Sequence, residues 1–434
     1  MVINKSRCLL PRPLVGLVWL LLLGQMGLQA QEALRISMAG DLAAASRKQA
    51  ANSIGYYNLL WGPLSLRCSA NVSTEYTDNA GNSARSDGDL ITRPSINTDL
   101  HWPVTTHNSL DVSVGAGYSF YAKHSGWDQF FLSPNSGISL DVYIGDWVFN
   151  VHDRASLTQN TYENPTTANG VNSSYLQNNV GVSGLWDLNK ALINVGYDHA
   201  DYMNFNTATT TGQPDSASEN FYLNAGLRPR EEILFGVEGG LGLVSYDHAG
   251  TTNSSPGLAT DAMQLNGGLF CSLQLSEHFS ARVDGGYTVY SPDKTATTGT
   301  NAMSDSTGLY FQISLTHQVN AHVSYSLSAG HSVDYAYNGQ PYDRYFVRLN
   351  PSWNFIYRWS LSPSLSWEHG TQVSAGATAS ALSYEQYNLG LNLNHQITAK
   401  LSAGMYYRWV METANQADLN YTQNIVGLSL AYQF

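Results

Sequence analysis

The last fourteen residues of the chain alternate between two kinds of side chain. Read backwards from the C-terminus, every second residue from Phe434 to Val426 is apolar, and the residues between them are polar or small. A period of two is typical of a β-strand with one apolar face. The same pattern recurs along nearly the whole chain, without helical segments to cover it, so lipid fits the apolar face best. The sequence therefore predicts an all-β, antiparallel, up-and-down transmembrane barrel of the outer-membrane type.

The composition agrees with a barrel whose strands have one wet face and one apolar face. Charged residues make up 12% of the chain, about half the usual share. Mean hydropathy is nevertheless only −0.22, which a strand-alternating barrel explains because half of each strand faces water. The 27 tyrosines and 38 glycines are typical of interfacial girdles and of crowded or curved strands. A net charge of −12 argues against nucleic acid as a partner.

The N-terminus has the pattern of a secretory signal. Lys5, Arg7 and Arg12 precede an apolar stretch from Leu14 to Leu28, and Ala30 stands at a cleavage position. We therefore expect a signal peptide over residues 1–30, since the apolar stretch is short for the alternative, a membrane anchor. Residues 31–60 are expected to form a periplasmic leader, for which a short helix, a partial plug and a loose segment all remain open. Residues 61–434 are expected to form the barrel.

The number and the spacing of the strand segments fit such a barrel. Counting gives about eighteen strands, an even number within the range of single-chain barrels. Short connections such as Gly145–Asp146 alternate with long ones such as Asp78–Asp89 that are rich in Thr, Asn, Gly and Ser. We expect the short turns in the periplasm and the long loops outside the cell. The expected partners are outer-membrane lipids and, through Phe434, the barrel-assembly machinery.

A few residues interrupt the pattern. Pro351 and Pro363 fall on strand positions, which predicts strand ends or bulges there. Asp153 falls on the lipid-facing side, which predicts a bulge near His152 or a position at the rim. Cys68 and Cys271 lie on strands far apart in the sequence, and we expect them to stay free.

The residues on the strand face opposite to the apolar one are predicted to line the pore. The charged residues on it are Arg67, Glu75, Asp99, Asp111, Asp141, Arg154, Arg228, Glu238, Arg282, Asp284, Arg348, Glu368 and Arg408. The two signs nearly balance, which favours a ladder of ion pairs that braces the wall over a selectivity ring.

Tyrosines occupy the same face. They are Tyr121, Tyr143, Tyr222, Tyr290, Tyr310 and Tyr406. Aromatic faces in a wet lumen could form a track for sugar rings, and the alternative is that these residues belong to the interfacial girdles. No enzyme motif, cofactor signature or metal-ligand spacing is found, so we expect no enzymatic activity.

Several segments resemble a known family. They are Glu75–Ser83 (Glu-Tyr-Thr-Asp-Asn-Ala-Gly-Asn-Ser), Phe149–Gln159, Tyr175–Asn179, Asp187–Lys190 and Gly196–His199. Together they resemble the β-barrel porin type 2 family of bacterial outer-membrane proteins, which is often linked to exopolysaccharide secretion. The resemblance implies a barrel without catalytic residues. It also implies a passive conduit for exopolysaccharide, supplied by periplasmic export proteins.

Two other functions remain open at this point. The chemistry of the predicted pore lining would equally suit a general porin. A structural or adhesive barrel, closed by its leader or its loops, would use the Thr- and Asn-rich loops outside the cell instead.

Overall fold

A computed structural model describes residues 57–161, 172–204, 215–247, 261–293, 305–335, 341–372, 382–416 and 419–434. The predicted signal peptide, most of the predicted leader and parts of the long predicted loops lie outside these ranges. Within the described ranges, no helix is long and apolar enough to cross a bilayer.

The described residues form twenty strands and one 3-10 turn, Ser125–Trp127. The strands are β1 (Leu59–Trp61), β2 (Leu64–Thr77), β3 (Asp89–Pro103), β4 (Ser109–Tyr121), β5 (Gln129–Leu132), β6 (Gly137–Ile144), β7 (Trp147–Thr161), β8 (Asn172–Asp187), β9 (Ala191–Asn204), β10 (Ser216–Arg230), β11 (Ile233–Tyr246), β12 (Ala262–Ser276), β13 (Phe279–Pro292), β14 (Ser306–Gln318), β15 (Val323–Tyr335), β16 (Pro341–Ile356), β17 (Trp359–Gln372), β18 (Leu382–Gln396), β19 (Leu401–Ala414) and β20 (Tyr421–Gln433).

The strands form one closed antiparallel barrel. From β2 onward the strands pair in chain order, and β20 pairs back onto β2. β5 and β6 are two halves of one wall strand, because both pair with β4 on one side and β7 on the other. β1 is a short strand that only extends the edge of β2. The described barrel therefore has 18 wall strands, which confirms the predicted fold class and strand number.

β1 begins inside the segment predicted to be a leader. It pairs with β2 from Leu59↔Leu66 to Trp61↔Leu64. The pairing of β20 with β2 extends to Ser69↔Gln433, and the Phe434 backbone N–H donates to the Cys68 carbonyl. β1 therefore covers the strand edge that the end of β20 leaves open.

The connections differ between the two ends of the barrel, as predicted. At one end, which we call the short-turn end, two residues suffice to join neighbouring strands, as Gly145 and Asp146 do between β6 and β7. Gly145 has a φ of +60°, a conformation that tight hairpin turns require. At the other end, the long-loop end, residues 78–88 and 293–305 separate consecutive strands. The C-terminus lies at the short-turn end.

The two faces of the sheet differ in chemistry, and the apolar face is exposed. Leu269 of β12 is 66% exposed and Leu428 of β20 is 61% exposed, whereas Thr288 of β13, on the opposite face, is buried. A water-soluble protein would bury such a band, but a bilayer covers it with lipid. The closed barrel with its apolar face outward is thus a transmembrane barrel of the outer-membrane type.

The two prolines lie inside strands, not at strand ends or bulges as predicted. β16 and β17 pair at Leu349↔Leu365 and again at Trp353↔Leu361, and the pairing lapses between these positions. Pro351 and Pro363 fall within this gap. A proline lacks the backbone N–H that a sheet ladder needs, so two prolines in one short stretch explain the gap.

The prediction for Asp153 was wrong. β7 stays in register with both neighbours at Ile138↔Asp153 and Asp153↔Val180, so the strand has no bulge there. Asp153 also lies near the middle of β7, not at the rim. Its Oδ1 is buried without a hydrogen-bond partner, and nothing in the described residues explains this position. The irregular segment of this wall lies instead between β5 and β6.

Cys68 and Cys271 are free, as predicted.

Candidate functional site

Long-range hydrogen bonds identify the concave face of the barrel. The Tyr310 hydroxyl on β14 donates to Glu238 on β11 at 2.8 Å, across β12 and β13. The Tyr406 hydroxyl on β19 donates to Glu75 on β2, across β20. Side chains from strands that are not neighbours can meet in this way only where the sheet curves toward them. We call this concave face the inner wall. The predicted charged residues point to this same face, since they alternate along their strands in phase with these tyrosines and glutamates.

An ion-pair cluster lies on the inner wall near the short-turn end. Arg67 of β2 donates from Nε and Nη2 to Asp99 of β3, at 2.9 and 2.5 Å, and the Ser113 hydroxyl donates to the same carboxylate at 2.8 Å. Closer to the short-turn end, Nδ1 of His101 on β3 lies 2.6 Å from the Asp111 carboxylate on β4. The side chains of Arg67 and Asp99 remain partly exposed. Because they lie on the inner wall, the exposed part faces the interior, and the two charges neutralise each other.

A second cluster lies at the long-loop end, where the barrel closes. Glu75 accepts hydrogen bonds from Arg93 of β3 and from the Tyr406 hydroxyl. Tyr121 of β4 is buried nearby, with its ring edge against Trp127 at 5.7 Å between centroids. The cluster joins four strands through one carboxylate and its neighbours.

Two more clusters repeat this arrangement, each around a glutamate. Arg282 lies 3.4 Å from both Glu238 and Asp284, with its guanidinium 4.9 Å from the centre of the Phe270 ring.

The other glutamate is Glu368 of β17. It lies 3.3 Å from Arg344 and 3.9 Å from Arg348, and it accepts a hydrogen bond from the Tyr384 hydroxyl at 2.8 Å. The predicted balance of charge on this wall therefore takes the form of pairs between strands, which supports the bracing ladder.

A histidine connects two strands in the wall formed by β6 to β9. Each ring nitrogen of His152 lies 2.9 Å from an oxygen, one of Asn150 and one of Asp198. Asn150 in turn donates to Asp141 at 2.7 Å, and all four side chains are buried. Arg154 follows two residues later on the same face of β7. Among the residues that the structure describes, no group of three His, Cys, Asp or Glu could hold a metal ion.

The remaining predicted residues are placed as follows. Arg228 is at the short-turn end, 3.8 Å from Asp187, and donates to the Asn189 carbonyl at 3.4 Å. Arg408 lies on β19 opposite Gly390. Tyr143 is exposed next to the turn that follows β6. The assignment of the whole set to a pore lining stays a prediction.

Four of the six predicted tyrosines are buried against the wall, whereas Tyr143 is exposed. Tyr290 is 1% exposed and Tyr222 is 4% exposed, and Tyr310 and Tyr121 are also buried. A Cβ added to Gly427 would lie 2.1 Å from Cζ of Tyr406, so the ring rests directly on that glycine. Such rings bridge strands, and a buried ring cannot stack on a sugar. Their burial argues against the predicted sugar track.

Sequence reasoning missed several members of these clusters. Arg93 was overlooked because it precedes Pro94, where the alternation is hard to follow, and Arg344 because it lies near the beginning of β16. Tyr384 was missed for the same reason at the beginning of β18. His152 carries a signal that the sequence does offer, since it stands in the family-like segment Phe149–Gln159 and takes the inward parity.

An ionisable cluster on β9 and β10 faces outward and was not predicted. Tyr197, His199 and Glu219 share the strand parity of the exposed Val195 and Phe221. Glu219 accepts from the Tyr197 hydroxyl at 2.5 Å and lies 2.9 Å from Nδ1 of His199. Mutual pairing lowers the cost of placing such groups on a lipid-facing surface.

Comparisons with known proteins give similarity at the level of structure. No family model and no curated protein match the sequence, so membership of the β-barrel porin type 2 family is not shown. The barrel that the resemblance implied is confirmed, and the link to exopolysaccharide is not shown.

Several solved structures are similar to this chain. Pseudomonas aeruginosa OpdQ has a TM-score of 0.46 and 10% identity, over 85% of this chain and 98% of that chain. Pseudomonas aeruginosa OccD3 (OpdP) has a TM-score of 0.45 and 11% identity, over 85% and 91% of the two chains. Acinetobacter baumannii OccAB3 has a TM-score of 0.45 and 12% identity, over 85% and 99%. Identities and scores of this size support no conclusion about the solute or the site.

Proposed function

We propose that this chain is a passive outer-membrane channel for small hydrophilic solutes. The observation that carries the proposal is the inner wall, where arginines and carboxylates pair between strands. Some of these side chains, namely Arg67, Asp99 and Arg282, stay partly exposed. A barrel with this number of strands is wide enough for an aqueous channel unless something fills it. A wall of paired charges presents no ring of one sign, so ions of both signs should pass with weak selectivity.

A conduit for exopolysaccharide is the less favoured version of this function. Such a path would use exposed aromatic faces along the interior, and the rings of Tyr222, Tyr290 and Tyr310 are buried against the wall. Small solutes need only hydrated polar side chains, which the partly exposed Arg67 and Asp99 supply.

The test is single-channel recording of the purified protein in planar bilayers. We expect discrete conductance steps and a reversal potential close to zero in a KCl gradient, because the wall charges balance. An absence of conductance in bilayers that contain the folded barrel would contradict the proposal and favour a structural or adhesive barrel. Reversible block of the steps by an added neutral polysaccharide would favour the polysaccharide conduit.

Two matched variants test whether the paired wall charges control the current. Arg67→Gln leaves the Asp99 carboxylate uncompensated, and Asp99→Asn leaves the Arg67 guanidinium uncompensated. We expect the cation-to-anion permeability ratio to rise by roughly two-fold in the first variant and to fall by a similar factor in the second, since fixed charge attracts counterions. Shifts in the same direction, or no shift in either variant, would show that ions do not pass this pair.

A further inference from the structure

One wall strand contains an inserted turn. β5 ends at Leu132, which pairs with Ala116, and β6 begins at Gly137, which pairs with Ser113. Four residues, Ser133–Ser136, therefore face only two residues of β4. Two backbone hydrogen bonds close the sheet around the insertion, from Ser133 N–H to the Gly115 carbonyl at 2.7 Å and from Ala155 N–H to the Ser136 carbonyl at 3.0 Å.

The insertion is a compact β-turn that the wall holds firmly. Ser136 N–H donates to the Ser133 carbonyl at 2.9 Å, with Pro134 and Asn135 at the two central positions, where a type I turn favours them. The Ser136 hydroxyl is 3.0 Å from the Gly115 N–H and is buried. Pro134 and Asn135 are exposed, so the tip of the turn is free while its base is fixed.

The turn lies on the inner wall. Gly115 shares the strand parity of Ser113, whose hydroxyl bonds to Asp99 in the interior cluster. A Cβ on Gly115 would lie 2.4 Å from Oδ1 of Asn97 and 2.7 Å from Cβ of Ser133. Ser133 therefore covers the inner side of Gly115, and only a glycine leaves room for it.

The depth of the turn within the barrel wall is a second, independent reason to conclude that its tip points into the interior. Gly115 stands at the middle of β4, Ser109–Tyr121, and so at mid-depth of the wall. Irregular backbone at that depth leaves polar groups without partners in lipid, and it is tolerated only where it is buried in protein or lines a water-filled cavity. The exposed tip residues must therefore face water in the interior.

We propose that the turn Ser133–Ser136 is a constriction of the channel and that Asn135 is the residue that passing solutes contact there. This inference rests on the proposed function. The Asn135 amide offers one acceptor and two N–H donors without charge, on the same inner wall as the paired charges of Arg67 and Asp99. A constriction of this kind selects uncharged, hydroxyl-rich or zwitterionic small solutes and gives no preference for one sign of ion.

The test is modification of a cysteine at the tip during single-channel recording. Asn135→Cys is treated with a water-soluble, cationic methanethiosulfonate, and the matched control is Ile138→Cys, three residues away and on the lipid-facing side. We expect the conductance of Asn135→Cys to fall by about a third or more, since the added group narrows the pore, and to recover with dithiothreitol. The control and the unmodified chain, which keeps its native Cys68 and Cys271, should not respond.

The outcomes separate this inference from the proposed function. If the unmodified chain conducts and mass spectrometry shows modified Asn135→Cys without a change in current, the constriction is wrong while the channel stands. If Asn135→Cys in vesicles carries a fluorophore that a lipid-chain quencher reaches and aqueous iodide does not, the inward placement is wrong. If the unmodified chain passes no current, the proposed function fails and the constriction fails with it.

Discussion

Tyr310 reaches a carboxylate three strands away because two glycines make room for it. A Cβ on Gly268 would lie 2.2 Å from the Tyr310 Oη, and one on Gly286 would lie 2.6 Å from it. Without side chains at these positions the ring lies against the backbone of β12 and β13, and its hydroxyl meets Glu238. The tyrosine thus joins β14 to β11, and a larger residue under it should break that link.

We predict that Gly268→Ala destabilises the barrel by about 1–3 kcal/mol, because the new methyl group overlaps both the Tyr310 hydroxyl and the Gly285 carbonyl. Displacing the hydroxyl leaves Glu238 without that donor. Gly267→Ala is the matched control, since a Cβ on Gly267 meets nothing within 4 Å. Urea unfolding of both variants in lipid vesicles, followed by tryptophan fluorescence, measures the difference. Equal midpoints for the two variants would show that the contact contributes nothing.

At the residue scale, the sequence predicts which face a side chain takes but not how it lies on that face. Alternation placed Tyr310 and Glu238 on one face, and the structure shows them in contact. Whether a ring stands in water or lies flat depends on what occupies the neighbouring strands. The glycines under Tyr310 become its neighbours only through the register between strands, which alternation alone does not fix.

The closing seam between β2 and β20 is shorter than the neighbouring strand pairs. These strands pair over nine positions, from Ser69↔Gln433 to Thr77↔Ile425, against twelve between β19 and β20. Side chains extend the seam at the long-loop end. Asp78 accepts from the backbone N–H and from the side-chain amide of Asn424, each at 2.7 Å.

We predict that Asp78→Ala lowers the unfolding free energy by about 2 kcal/mol, because two partly buried hydrogen bonds to Asn424 are lost. Asp146→Ala is the control, since Asp146 is exposed in a turn at the opposite end of the barrel. The temperature at which the folded barrel loses its fast migration in SDS gels reports the effect. A control that unfolds at the same lowered temperature would contradict a specific role for the seam.

At the element scale, the regular strands could be predicted, and the inserted turn could not. A wall strand repeats apolar residues with a period of two, and lipid on one side enforces that period over its whole length. Ser133–Ser136 breaks the period over only four residues. Its sequence, Ser-Pro-Asn-Ser, is nevertheless a good turn sequence, and that signal could have located it. The bulge expected near His152 was instead argued from a single carboxylate, Asp153.

The outward apolar band is a property of the whole molecule, and it determines how much a charge costs at each depth. β12 crosses the barrel wall from Ala262 to Ser276. Leu269 stands at its middle and is 66% exposed, while Leu275 stands next to its end at the short-turn side and is 60% exposed. The two leucines have the same chemistry and nearly the same exposure, but they differ in depth. Leu269 pairs with Gly285 in the regular ladder, and Leu275 lies at the irregularity between Gln274 and Ser276 near the strand end.

We predict that Leu269→Arg destabilises the barrel in lipid vesicles by about 2–4 kcal/mol, whereas Leu275→Arg costs about 0–1 kcal/mol, because an arginine near the interface keeps its guanidinium hydrated. Reversible urea unfolding in vesicles measures both. A barrel that stood in water would tolerate both exposed substitutions equally, so equal small costs would contradict the transmembrane fold. A large cost confined to Leu269→Arg is the result expected of a hydrocarbon layer at mid-wall.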